Sequence, residues 1–131
     1  MGASLNVVGA ITLFVEDLGA ARAFYERAFE SAPIHEDEDS AVFDLGNLLI
    51  NLLDVAEAPE LVTPVAVGGA GAGPRFQLTV GVDDVDAAAL GLTRRGVELL
   101  NGPVDRPWGV RTAAFADPAG HVWEIAAPLA R

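Results

Sequence analysis

The segment Val15-Glu16-Asp17-Leu18 returns 67 residues later as Val82-Asp83-Asp84-Val85, each time at the end of an apolar run and the start of a helical pattern. Self-similarity at a fixed spacing means that the chain is built from two copies of one supersecondary unit. The flanks agree. Ala10-Ile11-Thr12-Leu13-Phe14 and Gln77-Leu78-Thr79-Val80-Gly81 are short apolar runs with β-branched residues, and read as strands. Asp17 and Asp84 are N-cap candidates, because a short carboxylate can accept from the first free N–H groups of a helix. Leu18, Ala21, Tyr25 and Ala28, widened by Phe24 and Phe29, form the apolar stripe of the first helix. Val85, Ala88, Ala89 and Leu92 form that of the second, which Gly96 stops.

Three candidate strands follow each helix: about 33–38, 40–45 and 47–54 in the first half, and 97–104, 110–116 and 121–127 in the second. The unit is βαβββ, twice, and the class is α+β. Between the copies, residues 55–74 carry Pro59, Pro64, Pro74 and four glycines, a composition that suits a linker and can also border a cavity. The expected organisation is one domain over residues 1–131, with module one at about 5–54, the Pro/Gly connector at 55–74 and module two at 75–128. Units of about 60 residues are too small to be stable separately and are expected to pair.

Composition removes several kinds of chemistry. There is no cysteine, so thiolate nucleophiles, redox dithiols and Cys-based zinc sites are excluded. All eight basic residues are arginine, which excludes Schiff-base lysines. The net charge of −11 repels phosphate backbones and anionic lipid surfaces, so neither nucleic acid nor a membrane is an expected partner. Acidity is concentrated in residues 1–67, with 12 acids against 2 arginines, while residues 68–131 hold 7 acids and 6 arginines. That distribution suits either a solubilising surface or a cationic ligand. Residues 1–10 lack the regions of a secretory signal and no apolar run approaches the ~20 residues that span a bilayer. The expectation is a soluble cytoplasmic protein. No G-x-S-x-G surrounds a serine, and the glycines at 68–73 precede Pro74 and a strand instead of a helix, so neither a nucleophile elbow nor a phosphate loop is present.

The duplicated βαβββ plan, the segment ITLFVEDLGAARAFYERAF (Ile11 to Phe29) and the closing WGVRTAAFADPAGHVWEIAAP (Trp108 to Pro128) resemble the vicinal oxygen chelate superfamily. That superfamily holds glyoxalase I, extradiol dioxygenases, fosfomycin-resistance enzymes and bleomycin-resistance proteins. The resemblance covers nearly the whole chain. It implies tandem modules whose curved mixed sheets enclose a cavity, and a homodimer.

The resemblance also implies four strand positions from which such proteins draw ligands for a divalent cation. In this chain they fall on Ala10, near Ile50, on Gln77 and on Glu124. Alanine and isoleucine coordinate nothing, and one amide with one carboxylate is a weak set. Strand alternation puts Ala10, Thr12, Phe14, Gln77, Thr79, Thr112, Ala114, Val122, Glu124 and Ala126 on one wall, with Ile11, Leu13, Leu78, Val80, Phe115, Trp123 and Ile125 in the core. Gln77 is a natural donor to Glu124. His121 reads as a turn residue directed away from Glu124, and His35 as part of a solvated acidic strand and turn. Trp108, between Pro107 and Gly109, either meets a ligand, seals a subunit interface or packs on a neighbouring loop. Arg111 is expected to pair with an acid of the first half. The reading is a metal-free protein that binds or sequesters an organic, cationic aromatic, antibiotic-like molecule through Thr12, Phe14, Gln77, Thr79, Trp108, Thr112 and Glu124. The alternative is a metal-dependent lyase, isomerase or dioxygenase in which Gln77 and Glu124 hold the ion.

Overall fold

The computed structural model describes residues 5–129. β1 (Ala10–Val15) leads into α1 (Leu18–Phe29), and three strands follow: β2 (His35–Glu36), β3 (Ser40–Asp44) and β4 (Leu49–Asp54). The second copy repeats this order as β5 (Gln77–Gly81), α3 (Val85–Arg94), β6 (Leu99–Asp105), β7 (Val110–Ala116) and β8 (Val122–Pro128). Each copy forms a four-stranded mixed sheet, β1-β4-β3-β2 and β5-β8-β7-β6, in which the first and last strands run parallel. The two βαβββ units expected from the repeat are thus both present, and the two sheets are separate.

Both helices start as their sequences dictate. Asp17 Oδ1 accepts from the Ala20 N–H at 3.0 Å, and Asp84 Oδ1 from that of Ala87 at 3.1 Å. α1 ends where Glu30 turns left-handed, and Gly96, at φ +86°, follows the end of α3. β2 covers two of the residues expected at about 33–38. Asp37 Oδ1 collects the N–H groups of Asp39 and Ser40 and the Ser40 hydroxyl, so the turn begins before the strand can lengthen. His35 is exposed there, 3.3 Å from Asp37.

The connector is not structureless. It contains a 3₁₀ turn at Val55–Glu57, the short helix α2 (Ala58–Val62) and another 3₁₀ turn at Ala70–Ala72. Among the described residues no helix is long and apolar enough to cross a membrane.

One core serves both modules. Leu13, Val15, Phe43, Ile50 and Leu52 pack beneath α1, and Ala113, Phe115, Trp123 and Ile125 lie on the second sheet. Aromatic rings join them: Phe29 meets Trp123 edge to face at 5.2 Å, and Phe24 lies 6.1 Å from Phe115. Arg95, at the end of α3, reaches across to α1, where its Nε donates to Arg27 O at 2.7 Å and a terminal nitrogen to Ala28 O at 3.2 Å. These carbonyls belong to the last turn of α1, which lacks helical partners and welcomes a cation. Arg95→Ala is therefore expected to destabilise the protein by roughly 1–2 kcal/mol in urea denaturation. A lysine at the same site should restore only part of this, because one ammonium cannot reproduce the planar fork.

Candidate functional site

The sheet faces turned away from the helices carry two equivalent polar pairs. Thr12 on β1 stands opposite Asn51 on β4, and Asn51 Nδ2 donates to Thr12 Oγ1 at 3.3 Å. In the second copy Thr79 on β5 stands opposite Glu124 on β8, and Thr79 Oγ1 donates to Glu124 Oε1 at 3.0 Å. Thr79 is the repeat partner of Thr12, so duplication places a hydroxyl at the same point of both sheets.

This geometry corrects two expectations. Ile50 does not face the wall: it is 0% exposed in the core, and its neighbour Asn51 occupies the open face. A one-residue change of parity exchanges the faces of a strand, and here it replaces an apolar residue by an amide. Gln77 does not partner Glu124 either. Its register partner is Val122, and the hydroxyl of Thr79 fills the role assigned to it. Ala10 is exposed opposite Leu49.

Thr112, expected as an open wall residue, is 1% exposed and accepts from Arg106 Nε at 3.0 Å. Arg106 also donates to Asn101 Oδ1 at 3.2 Å, and its guanidinium lies 6.0 Å from the ring centroid of Trp108. Trp108 is 70% exposed, so one arginine is its visible neighbour and most of the ring faces solvent. Arg111 pairs with Asp86 at 2.9 Å and Asp105 at 2.8 Å, both in the second half of the chain, contrary to expectation.

A second constellation lies at the ends of the strands. A cavity of about 520 Å³ opens between connector residues 62–76, Phe14 at the end of β1, and the turn Ala119–His121. Phe14 thus lines this cavity, apart from the polar pairs. Below it, the side chain of Asp117 is fully buried. Its Oδ1 accepts the N–H groups of Ala119 at 2.9 Å and His121 at 2.8 Å. Its Oδ2 accepts from Tyr25 Oη at 2.6 Å and lies 2.8 Å from His121 Nδ1. Trp123 Nε1 donates in turn to Tyr25 Oη at 2.9 Å.

Burial is the largest influence on Asp117 and acts to raise its pKa, yet the hydrogen bonds from the His121 ring, the Tyr25 hydroxyl and the His121 N–H, with the charge of His121, outweigh it. The carboxyl is held below the usual carboxylate range. The same burial, followed by the neighbouring carboxylate, pushes the Tyr25 hydroxyl far above the ordinary phenol range. His121 is therefore more than a turn residue, and Trp123 is a core residue with a polar bond. Sequence reasoning missed Asp117 and the hydroxyl of Tyr25. One signal was available: a tyrosine within an apolar helical stripe must still find a partner for its O–H.

A further cleft of about 400 Å³ lies between the modules, lined by Ile11, Leu48, Leu78, Thr79, Val80 and Trp123.

Fold and site define a class. The Glyoxalase/Bleomycin resistance protein/Dioxygenase superfamily model matches residues 7–125, and the chain belongs to that family. It is 33% identical over 120 residues to the uncharacterized protein YraH of Bacillus subtilis (strain 168), covering 88% of this chain and 93% of that protein. A glyoxalase-related enzyme from Fulvimarina pelagi matches with a TM-score of 0.80 and 29% identity, covering 94% of this chain and 88% of that one. A glyoxalase/bleomycin resistance protein/dioxygenase from Nocardioides matches with a TM-score of 0.86 and 25% identity, covering 98% and 87%.

The divalent cation implied by this family can be tested against the donors. The four strand positions present Ala10, Asn51, Gln77 and Glu124, a single carboxylate and two amides. Among the described residues no three His, Cys, Asp or Glu side chains gather into a metal-holding group. Hard and borderline divalent ions need more anionic or imidazole donors than this, so the set does not fit the group.

Proposed function

We propose that the chain is a small-molecule-binding protein that holds an organic, cationic aromatic, antibiotic-like ligand on its sheet faces without a divalent metal. The observation that carries this reading is Glu124. It is half-buried and accepts from one hydroxyl, that of Thr79, and among the described residues no basic side chain pairs with it. A partly desolvated carboxylate with spare lone pairs favours a cation, and the net charge of −11 adds a field of the same sense. Ala10 leaves room beside the pairs. Trp108 offers a ring whose exposed surface suits stacking. The protein acts in the cytoplasm as a homodimer.

The test combines metal analysis with titration. Protein purified without chelator should hold well under one equivalent of transition metal, and EDTA should leave its melting temperature unchanged. Ethidium, an aromatic cation, should bind and quench Trp108 fluorescence. Glu124→Gln should weaken that binding about tenfold, the equivalent of ~1.4 kcal/mol. Stoichiometric metal, lost together with stability in Glu124→Ala, would overturn the proposal in favour of a metal-dependent lyase, isomerase or dioxygenase using Gln77 and Glu124. Ethidium binding that ignores Glu124 would remove its cationic part.

A further inference from the structure

The cavity under the connector is separate from the polar pairs, and the reading of Glu124 makes no use of it. Its volume of about 520 Å³ falls within the usual range for small-molecule sites. The walls are largely apolar, with Phe14 from β1, Val65 and Val67 from the connector, and Phe76 just before β5. Into this apolar space the turn before β8 brings His121, whose ring centroid lies 6.4 Å from that of Phe76.

The ring is fixed from behind. Its Nδ1 lies 2.8 Å from Asp117 Oδ2, and that carboxylate is immobilised by Tyr25 and two backbone N–H groups. In the neutral imidazole, a carboxylate behind Nδ1 selects the tautomer that carries the proton there, which leaves Nε2 with its lone pair. Nε2 has no hydrogen-bond partner among the described residues. The site thus offers one oriented acceptor at the edge of an apolar, aromatic-lined space.

Charge narrows the class of ligand. The buried Asp117 carboxylate behind the ring opposes an anion, and at the lining Glu16 and Arg75 carry opposite charges, so neither sign of ligand is favoured there. The walls are otherwise apolar, and with Arg75 beside it the single carboxylate of Glu16 gives a cation little support. A neutral aromatic molecule with one hydroxyl satisfies both conditions, because a phenol remains protonated at neutral pH and donates a single hydrogen bond. We propose that this cavity is a second binding site, for small neutral phenols, in which the ring packs between Phe14 and Phe76 and the hydroxyl donates to His121 Nε2.

Trp123 supplies the readout, because its indole N–H bonds Tyr25, which in turn bonds Asp117 beside His121. In a Trp108→Phe background it is the sole tryptophan, and its indole N–H resonance can be followed by NMR. Titration with p-cresol should shift this resonance saturably, and p-xylene, which replaces the hydroxyl by a methyl group, should bind at least tenfold more weakly. His121→Phe should abolish the preference for p-cresol. Val67→Phe, which adds bulk to the connector wall of the cavity and leaves the histidine itself unchanged, should remove binding of both compounds while leaving the unliganded spectrum in place. Equal binding of the two compounds, no shift by p-cresol up to its solubility, or a preference that survives His121→Phe or Val67→Phe would each overturn the proposal. Ethidium binding to wild-type protein is measured independently, so failure of either site is recognised without the other.

Discussion

Replacing Asp117 by alanine is expected to cost roughly 3–5 kcal/mol, because four buried or half-buried donors lose their acceptor at once. For a chain of this length the melting temperature should fall on the order of 10 °C or more. The loss should exceed that of Tyr25→Phe, which keeps the carboxylate and its two backbone bonds. Thermal and urea unfolding of both variants measure the order. A melting temperature for Asp117→Ala within about 2 °C of wild type would mean that the network adds little. The sign of the pH dependence follows from the direction of the shift. Asp117 is held below the ordinary carboxylate range in the folded state, so its contribution is complete above the unfolded value of about 4 and disappears as pH falls through the lower folded value. The stability gap between wild type and Asp117→Ala should therefore be full above about pH 5 and close in stronger acid.

Gly102→Ala should be comparably damaging for an unrelated reason. Gly102 sits where the β6–β7 pairing slips its register, and its backbone is left-handed at φ +83°. A Cβ there would meet the carbonyl oxygen of Thr112 and come within 2.7 Å of Ala113 Cα. Backbone cannot rotate away as a side chain can. The left-handed strain and the forced displacement of β7 together suggest a loss of roughly 3 kcal/mol or more. Gly109→Ala is the matched control. Its φ is +94° and nothing lies within 4 Å of the added carbon, so only the strain of about 1–2 kcal/mol remains. Equal unfolding midpoints for the two alanine variants would show that the close approach at Gly102 has no cost.

Local signals carried most of the fold into view. Asp17 and Asp84 cap their helices because a carboxylate before an amphipathic run has one favourable use, and Gly96 marks the end of α3 for a similarly local reason. Thr12, Thr79 and Glu124 were also readable, since alternation alone separates them from Leu13, Val80 and Ile125. Ile50 was misassigned because Leu48-Leu49-Ile50-Asn51-Leu52-Leu53 is apolar at both parities apart from one residue, and alternation needs contrast. The pairing of Glu124 with Thr79 instead of Gln77 depends on cross-strand register, which a single strand does not encode. Arg111 chose Asp86 and Asp105, acids brought near by the packing of α3 and β6 on its own sheet. Least visible was the Tyr25–Asp117 bond, which spans 92 residues and exists only because both modules share a core.

Duplication yields two equivalent strand ends, but a continuous chain supplies only one connector. It crosses Phe14, Phe76 and the turn at Ala119–His121, whereas the corresponding place in the other copy, around Ile11, Gly81 and the turn at Asn47–Leu48, receives no such span. Connectivity alone therefore breaks the twofold equivalence of the repeat. One end is lined by the connector and the other by the modules alone, before any side chain has differentiated them.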